Sequence, residues 1–176
     1  MSEPIPWSSP LVRQAGTVHL GGTHAEIVRT EAATAAGERV DAPFVLVVDP
    51  AVTDPSRTSG GKRPVWAYAH VPNGDTRDPV GLIRRRIEEY APGFSDTVIA
   101  SRGLSAMQYE MYNPNYVGGD IASGAHDPAP VTGTPHRAPG PVHHTAAGRV
   151  PLLVGHSTRA VGARHVRLFR GPVRPA

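Results

Sequence analysis

The chain predicts an α+β fold, a mainly antiparallel sheet with helices on one face followed by a disordered tail, and three observations carry that prediction. Short β-branched runs recur at 16–20, 44–48, 65–71 and 97–101. Two stretches between them have helical starts and stops, and the resulting order β-α-β-β-α-β suits a sheet with antiparallel neighbours. The residues after 127 change composition and lose both patterns.

Gly16 to Leu20 reads as a first strand, closed by Gly21-Gly22. Thr23 followed by Glu26 has the spacing of a capping box. The Ala-rich run to Ala36 with Gly37 behind it completes a helix. Phe44 to Val48 is an apolar strand, and a Pro/Ser/Gly loop runs from Asp49 to Arg63. Val65 to Val71 is the next strand, turned by Pro72-Asn73-Gly74-Asp75. Asp78 caps a second helix with Pro79 in its first position. Ile83, Ile87 and Tyr90 mark its buried face, and Arg84, Arg85, Arg86, Glu88 and Glu89 mostly occupy the solvated one. Ala91-Pro92-Gly93-Phe94 stops that helix, and Thr97 to Ser101 reads as a fourth strand. Ser105 with Gln108 starts a short helix, and Asn113 to Asp127 is a Gly-rich loop.

At 176 residues the chain holds one domain with a real core. It has no cysteine, which excludes disulfides, thiolate metal sites and a cysteine nucleophile. No apolar run approaches the roughly 20 residues of a membrane span, and Met1 to Pro10 lacks the form of a secretory signal. A cytoplasmic protein without a transmembrane segment is the expectation. All 15 acidic residues lie at or before Asp127, giving that part a net charge of −4, whereas 128–176 carries +7 from seven Arg. The basic part has eight Pro, six Gly and no Lys, and its one aromatic is Phe169. Nucleic-acid-binding tails usually mix Lys with Arg and interleave aromatics, so no nucleic-acid partner is expected.

The loop Asn113-Pro-Asn-Tyr-Val-Gly-Gly-Asp-Ile121 carries the most chemical character. Paired glycines allow close backbone approach to a ligand, and Asp120 beside them can accept hydrogen bonds. The same residues also fit an ordinary turn in which Asp120 satisfies nearby amides. Three segments occur in order: Trp7 to Gly22, Val65 to Gly74 (Val-Trp-Ala-Tyr-Ala-His-Val-Pro-Asn-Gly) and Tyr90 to Asp120. Together they resemble the later half of phytoene desaturase-like, FAD-dependent oxidoreductases, over residues 1–127 almost without a break. The resemblance implies a substrate-domain fragment that covers the substrate face of a flavin. It implies FAD as cofactor, a hydrophobic small-molecule substrate, Gly118, Gly119 and Asp120 near the cofactor, and His70 facing the substrate. On the residues alone, His70 also reads as a satisfied edge-strand histidine. No Gly-x-Gly-x-x-Gly after a strand is present, so the chain by itself is expected to be inactive and without retained FAD. The alternative is a stand-alone ferredoxin-like α+β module that binds a partner without catalysis.

Beyond 127 two short motifs are decoys. Pro151 to Thr158 resembles a nucleophile elbow centred on Ser157, but Arg159 stands where the second glycine belongs and no acid follows. His136, His143 and His144 read as surface histidines, and no metal site is expected. Codons exist for Ala147 to Arg159 that, read one base later, spell Pro-Gly-Val-Tyr-Leu-Cys-Ser-Ser-Ala-Thr-Pro-Pro-Gly. The same shift lets Ala163 to Pro172 spell His-Gly-Thr-Cys-Gly-Phe-Ser-Ala-Ala-Arg. Both words are those the resembling family carries after its Gly-Gly-Asp loop, so 128–176 is expected to be a disordered, frameshifted tail.

Overall fold

The computed structural model describes residues 1–122 and the backbone of two later strands, 148–154 and 165–168. Strand β1 (Thr17–Leu20) leads through Gly21-Gly22 into α1 (His24–Ala35). The capping box is complete: Thr23 Oγ1 accepts from the Glu26 N–H, and the Glu26 carboxylate accepts from the Thr23 N–H at 2.7 Å. Strand β2 (Val45–Val48) and β3 (Val65–Val71) follow, then α2 (Val80–Glu88), a two-residue β4 (Arg102–Gly103) and α3 (Ala106–Tyr112). A second complete capping box, Ser105 with Gln108, starts α3. Asp78 accepts from the Val80 N–H at the head of α2.

The sheet runs in the order β4-β5-β3-β2-β1-β6, with β5 (Gly148–Val154) and β6 (His165–Leu168) on either side of the first three strands. Every pairing is antiparallel except that of β1 with β6. The fold is therefore α+β with a mainly antiparallel sheet. Two segments of the stretch expected to be disordered are thus strands, for a physical reason. Gly148 to Val154, with its apolar run from Val150, pairs along the whole edge that β3 would otherwise present unpaired. Ser157 and the His136, His143 and His144 group lie outside the described residues.

Alternation along the strands divides the sheet into two faces. Val18, Leu20, Val45, Val47, Val65, Ala67, Ala69 and Val71 share one face and are almost fully buried. Ile83 and Ile87 of α2, Phe94, Ala106 at the start of α3, and Ile5, Trp7 and Val12 of the N-terminal segment pack into this core. Thr17, His19, Leu46, Val48, Trp66, Tyr68 and His70 point to the other face, most of them half-buried. There α1 reaches the sheet through Glu31 and His70.

Two local expectations are corrected. Thr97 to Ser101 is not a strand. Gly93 takes φ 84°, Phe94–Thr97 winds into a 3₁₀ turn, and the Glu88 carboxylate accepts from the N–H groups of Gly93 and Ser95. That carboxylate closes the end of α2 and leaves only Arg102–Gly103 to pair as β4. Arg86 is buried instead of solvated, at 5% exposure. One turn from Ile83, it stacks on the Tyr90 ring at 5.2 Å and pairs with Glu89.

The turn after β3 is held by Asp75, whose side chain is 4% exposed. Burial alone would raise its pKa. Hydrogen bonds from the Arg77 side chain at 3.0 and 2.7 Å and from its N–H at 2.9 Å, with the charges of Arg39 and Arg77, outweigh burial and hold it below the ordinary value. A lowered folded pKa means stability present above the unfolded value of about 3.9 and lost as pH falls through the folded one. Acid titration followed by denaturant melts should therefore show Asp75→Asn losing less stability than the parent across that window. Parallel acid limbs would show that Asp75 contributes nothing to the pH dependence.

Candidate functional site

The Gly-rich loop docks on the turn that follows β3. Gly118 takes φ 63° and Gly119 φ 85°, a left-handed pair inside a 3₁₀ turn over Val117–Gly119. The Gly118 carbonyl accepts from the Gly74 N–H at 2.9 Å, and Asn73 Nδ2 donates to the Val117 carbonyl at 3.2 Å. A Cβ on Gly118 would stand 2.0 Å from the Asn73 amide, and one on Gly119 2.5 Å from the Ala106 Cα. Close approach is thus what the two glycines provide, and the surfaces they approach are Asn73 and the first residue of α3.

The loop amides are engaged within the chain. Gly118 N–H donates to Glu110 Oε2 at 2.9 Å, Gly119 N–H to the Tyr116 carbonyl at 2.7 Å, and Asp120 N–H to the Val117 carbonyl at 3.3 Å. Asp120 is 5% exposed, and its Oδ1 accepts from the Ala122 N–H at 2.9 Å. A diphosphate needs a row of amides directed outward, so these residues do not fit the role of a diphosphate cradle. Their geometry is that of the self-satisfied turn. Around the loop, Tyr109 stands 6.4 Å from Tyr112 and 6.2 Å from Tyr116. Burial, then the neighbouring phenols, push the Tyr109 hydroxyl above its usual range.

His70 sits on the half-open face of the sheet. Its Nδ1 lies 2.7 Å from Glu31 Oε2. With the carboxylate accepting, the neutral ring carries its proton on Nδ1 and leaves Nε2 as the acceptor. The other Glu31 oxygen is buried with no hydrogen-bond partner among the described residues. Trp66, Tyr68 and His70 form a stacked row along β3, at 6.3 Å and 22° and then 6.0 Å and 10°. Phe44 leans on His70 at 4.9 Å and on His19 at 5.5 Å. With Leu46 and Val48 between them, these rings make a flat apolar wall that β5 borders in register, Leu153 opposite Trp66 and Arg149 opposite His70.

Of the residues singled out from sequence, His70 therefore lies on this wall near the end of β3, and Gly118, Gly119 and Asp120 lie by the turn that follows the same end. Sequence reasoning missed the contacts of Glu31, Asn73 and Phe44 with residues far along the chain, and that of Glu110 with Gly118 eight residues on. The one available signal was the spacing of Trp66, Tyr68 and His70 at alternate positions. No protein-family model, curated protein or solved structure matches the chain.

Proposed function

We propose that residues 1–127 are the substrate-side portion of an FAD-dependent oxidoreductase of the phytoene desaturase type, acting on a hydrophobic, polyene-like substrate. The observation that carries this reading is the convergence of the three segments on which the resemblance rests. Ser8 N–H donates to the Tyr90 carbonyl at 3.0 Å, joining the first to the third. Gly74 and Asn73 bond the Gly118 and Val117 carbonyls, joining the second to the third. Segments far apart in the chain thus form one unit, as parts of a single inherited domain would.

The apolar wall of Trp66, Tyr68, Phe44, Leu46 and Val48 suits an extended apolar ligand laid against the sheet, with His70 and the Tyr68 hydroxyl as polar groups along it. FAD would supply hydride acceptance in such a reaction. In this reading its diphosphate is held by a segment other than 1–127, because the loop amides are engaged and no Gly-x-Gly-x-x-Gly is present. The chain is then a part that shapes the substrate side and does not turn over alone.

The test is the visible spectrum after gel filtration. The chain alone should be colourless. The same chain joined to a dinucleotide-binding segment encoded upstream of its gene should retain flavin absorbance. Stoichiometric flavin on the chain alone would place the anchor within it. Absence of flavin from the joined protein would favour the partner-binding module instead.

A further inference from the structure

A second concavity lies at the opposite end of the strands, where β2 ends and β3 is entered. It has a volume of about 690 Å³. Pro4, Pro6 and Val52 give it apolar walls over the edges of the buried Ile5 and Trp7, and Arg13, Arg63 and Asp49 give it charge. Asp49 is almost fully buried, and both its carboxylate oxygens are engaged: Oδ1 accepts from the Ala51 N–H at 3.1 Å and Oδ2 from Arg63 Nη2 at 2.9 Å. Arg13 is exposed, and its Nε donates to the Trp7 carbonyl at 2.9 Å, which fixes the plane of the guanidinium and leaves its two Nη nitrogens as donors. Arg63 is thus paired with Asp49, the Met1 ammonium lies close to that pair, and Arg13 adds a further positive charge, so the cleft is net positive.

We propose that this cleft binds a monoanionic amphipathic molecule, a carboxylate on an apolar body. Its carboxylate would meet the Nη pair of Arg13 in the two-pronged geometry that guanidinium favours, and its body would lie on Pro4, Pro6 and Val52, beside the edge of Trp7. A cation would meet the net positive charge of the cleft, whose one carboxylate, Asp49, is engaged on both oxygens. An inorganic phosphate or other compact anion would leave the apolar walls uncovered. The site is distinct from the aromatic wall of β3 and does not depend on the flavin reading.

The experiment uses the full 176-residue chain, labelled with ¹⁵N and titrated separately with octanoate, octanol and octylammonium at neutral pH. Octanoate should shift the Trp7 indole and Arg13 Nε signals saturably, and octanol much less at matched concentration. Arg13→Gln removes an exposed side chain, so the fold should persist, as the unchanged remainder of the spectrum will report. Octanoate binding should weaken about tenfold in that variant, and Arg13→Lys should recover part of the loss. Overturning results would be equal responses to octanoate and octanol, preference for octylammonium, no saturable shift, or octanoate binding indifferent to Arg13→Gln.

Discussion

Replacing Gly119 by alanine should cost about 3 kcal/mol of folding stability, the left-handed backbone and the forced repacking each contributing. A melting temperature roughly 10 °C lower is the corresponding signal. The φ of 85° is one part of the cause. The other is that the new Cβ would lie 2.5 Å from the Ala106 Cα and 2.6 Å from its carbonyl oxygen, backbone atoms that cannot rotate away. Gly93 separates the two contributions. Its φ is 84°, yet a Cβ there meets nothing within 4 Å, so Gly93→Ala should cost only about 1 kcal/mol. Thermal melts of the two variants side by side give the comparison. Equal losses would mean that the loop does not press on α3 as described.

The second large effect lies under α2. Phe94 is 2% exposed and shares a small void of about 10 Å³ with Val65, Ala67, Ile87 and Val98. Phe94→Ala should lose about 4 kcal/mol, combining the transfer of the ring to water with the cavity it leaves. The void beside it cannot be refilled by a small shift, because the strand residues on its far side belong to the centre of the sheet. Ile99, at 53% exposure, is the control, and Ile99→Ala should stay within about 0.5 kcal/mol of the parent. Denaturant midpoints measure both. A Phe94 variant as stable as the Ile99 variant would show that the 3₁₀ turn is not anchored in the core.

Signals carried by residues close in sequence were legible. Thr23 with Glu26 and Ser105 with Gln108 announced both capping boxes, because a capping box needs only three residues of reach. The alternation of Val65 to Val71 gave β3 its full length. What failed depended on how side chains turn and pack, which spacing alone does not fix. Thr97 to Ser101 has the residues of a strand, but Glu88 gathers the preceding backbone into a turn. Arg86 looked solvated until the Tyr90 ring was in place to cover it. Proline and glycine outweighed the apolar run of Val150 to Val154 in the sequence reading, since nothing local reveals that β3 has an edge to fill. The glycine pair was recognised as a place of close approach. What it approaches, Asn73 and Ala106, could not be read from spacing, because Asn73 lies 45 residues before Gly118.

Segment 148–154 also bears on the origin of the chain's last part. Read one base on, the codons that can encode it spell a Gly-Val-Tyr-Leu-Cys-Ser word, itself strand-forming, so an apolar β segment is available in either frame. The most direct measurement of the proposed identity is therefore the base sequence of the gene on both sides of the chain. A flavoprotein origin predicts an in-phase stretch encoding Gly-x-Gly-x-x-Gly upstream of Met1. It also predicts third bases at Ala147 to Arg159 and Ala163 to Pro172 that yield the two family words one base on, in a shifted frame that stays open. Stop codons in that frame, third bases that spell neither word, and no dinucleotide-binding stretch upstream would together contradict it.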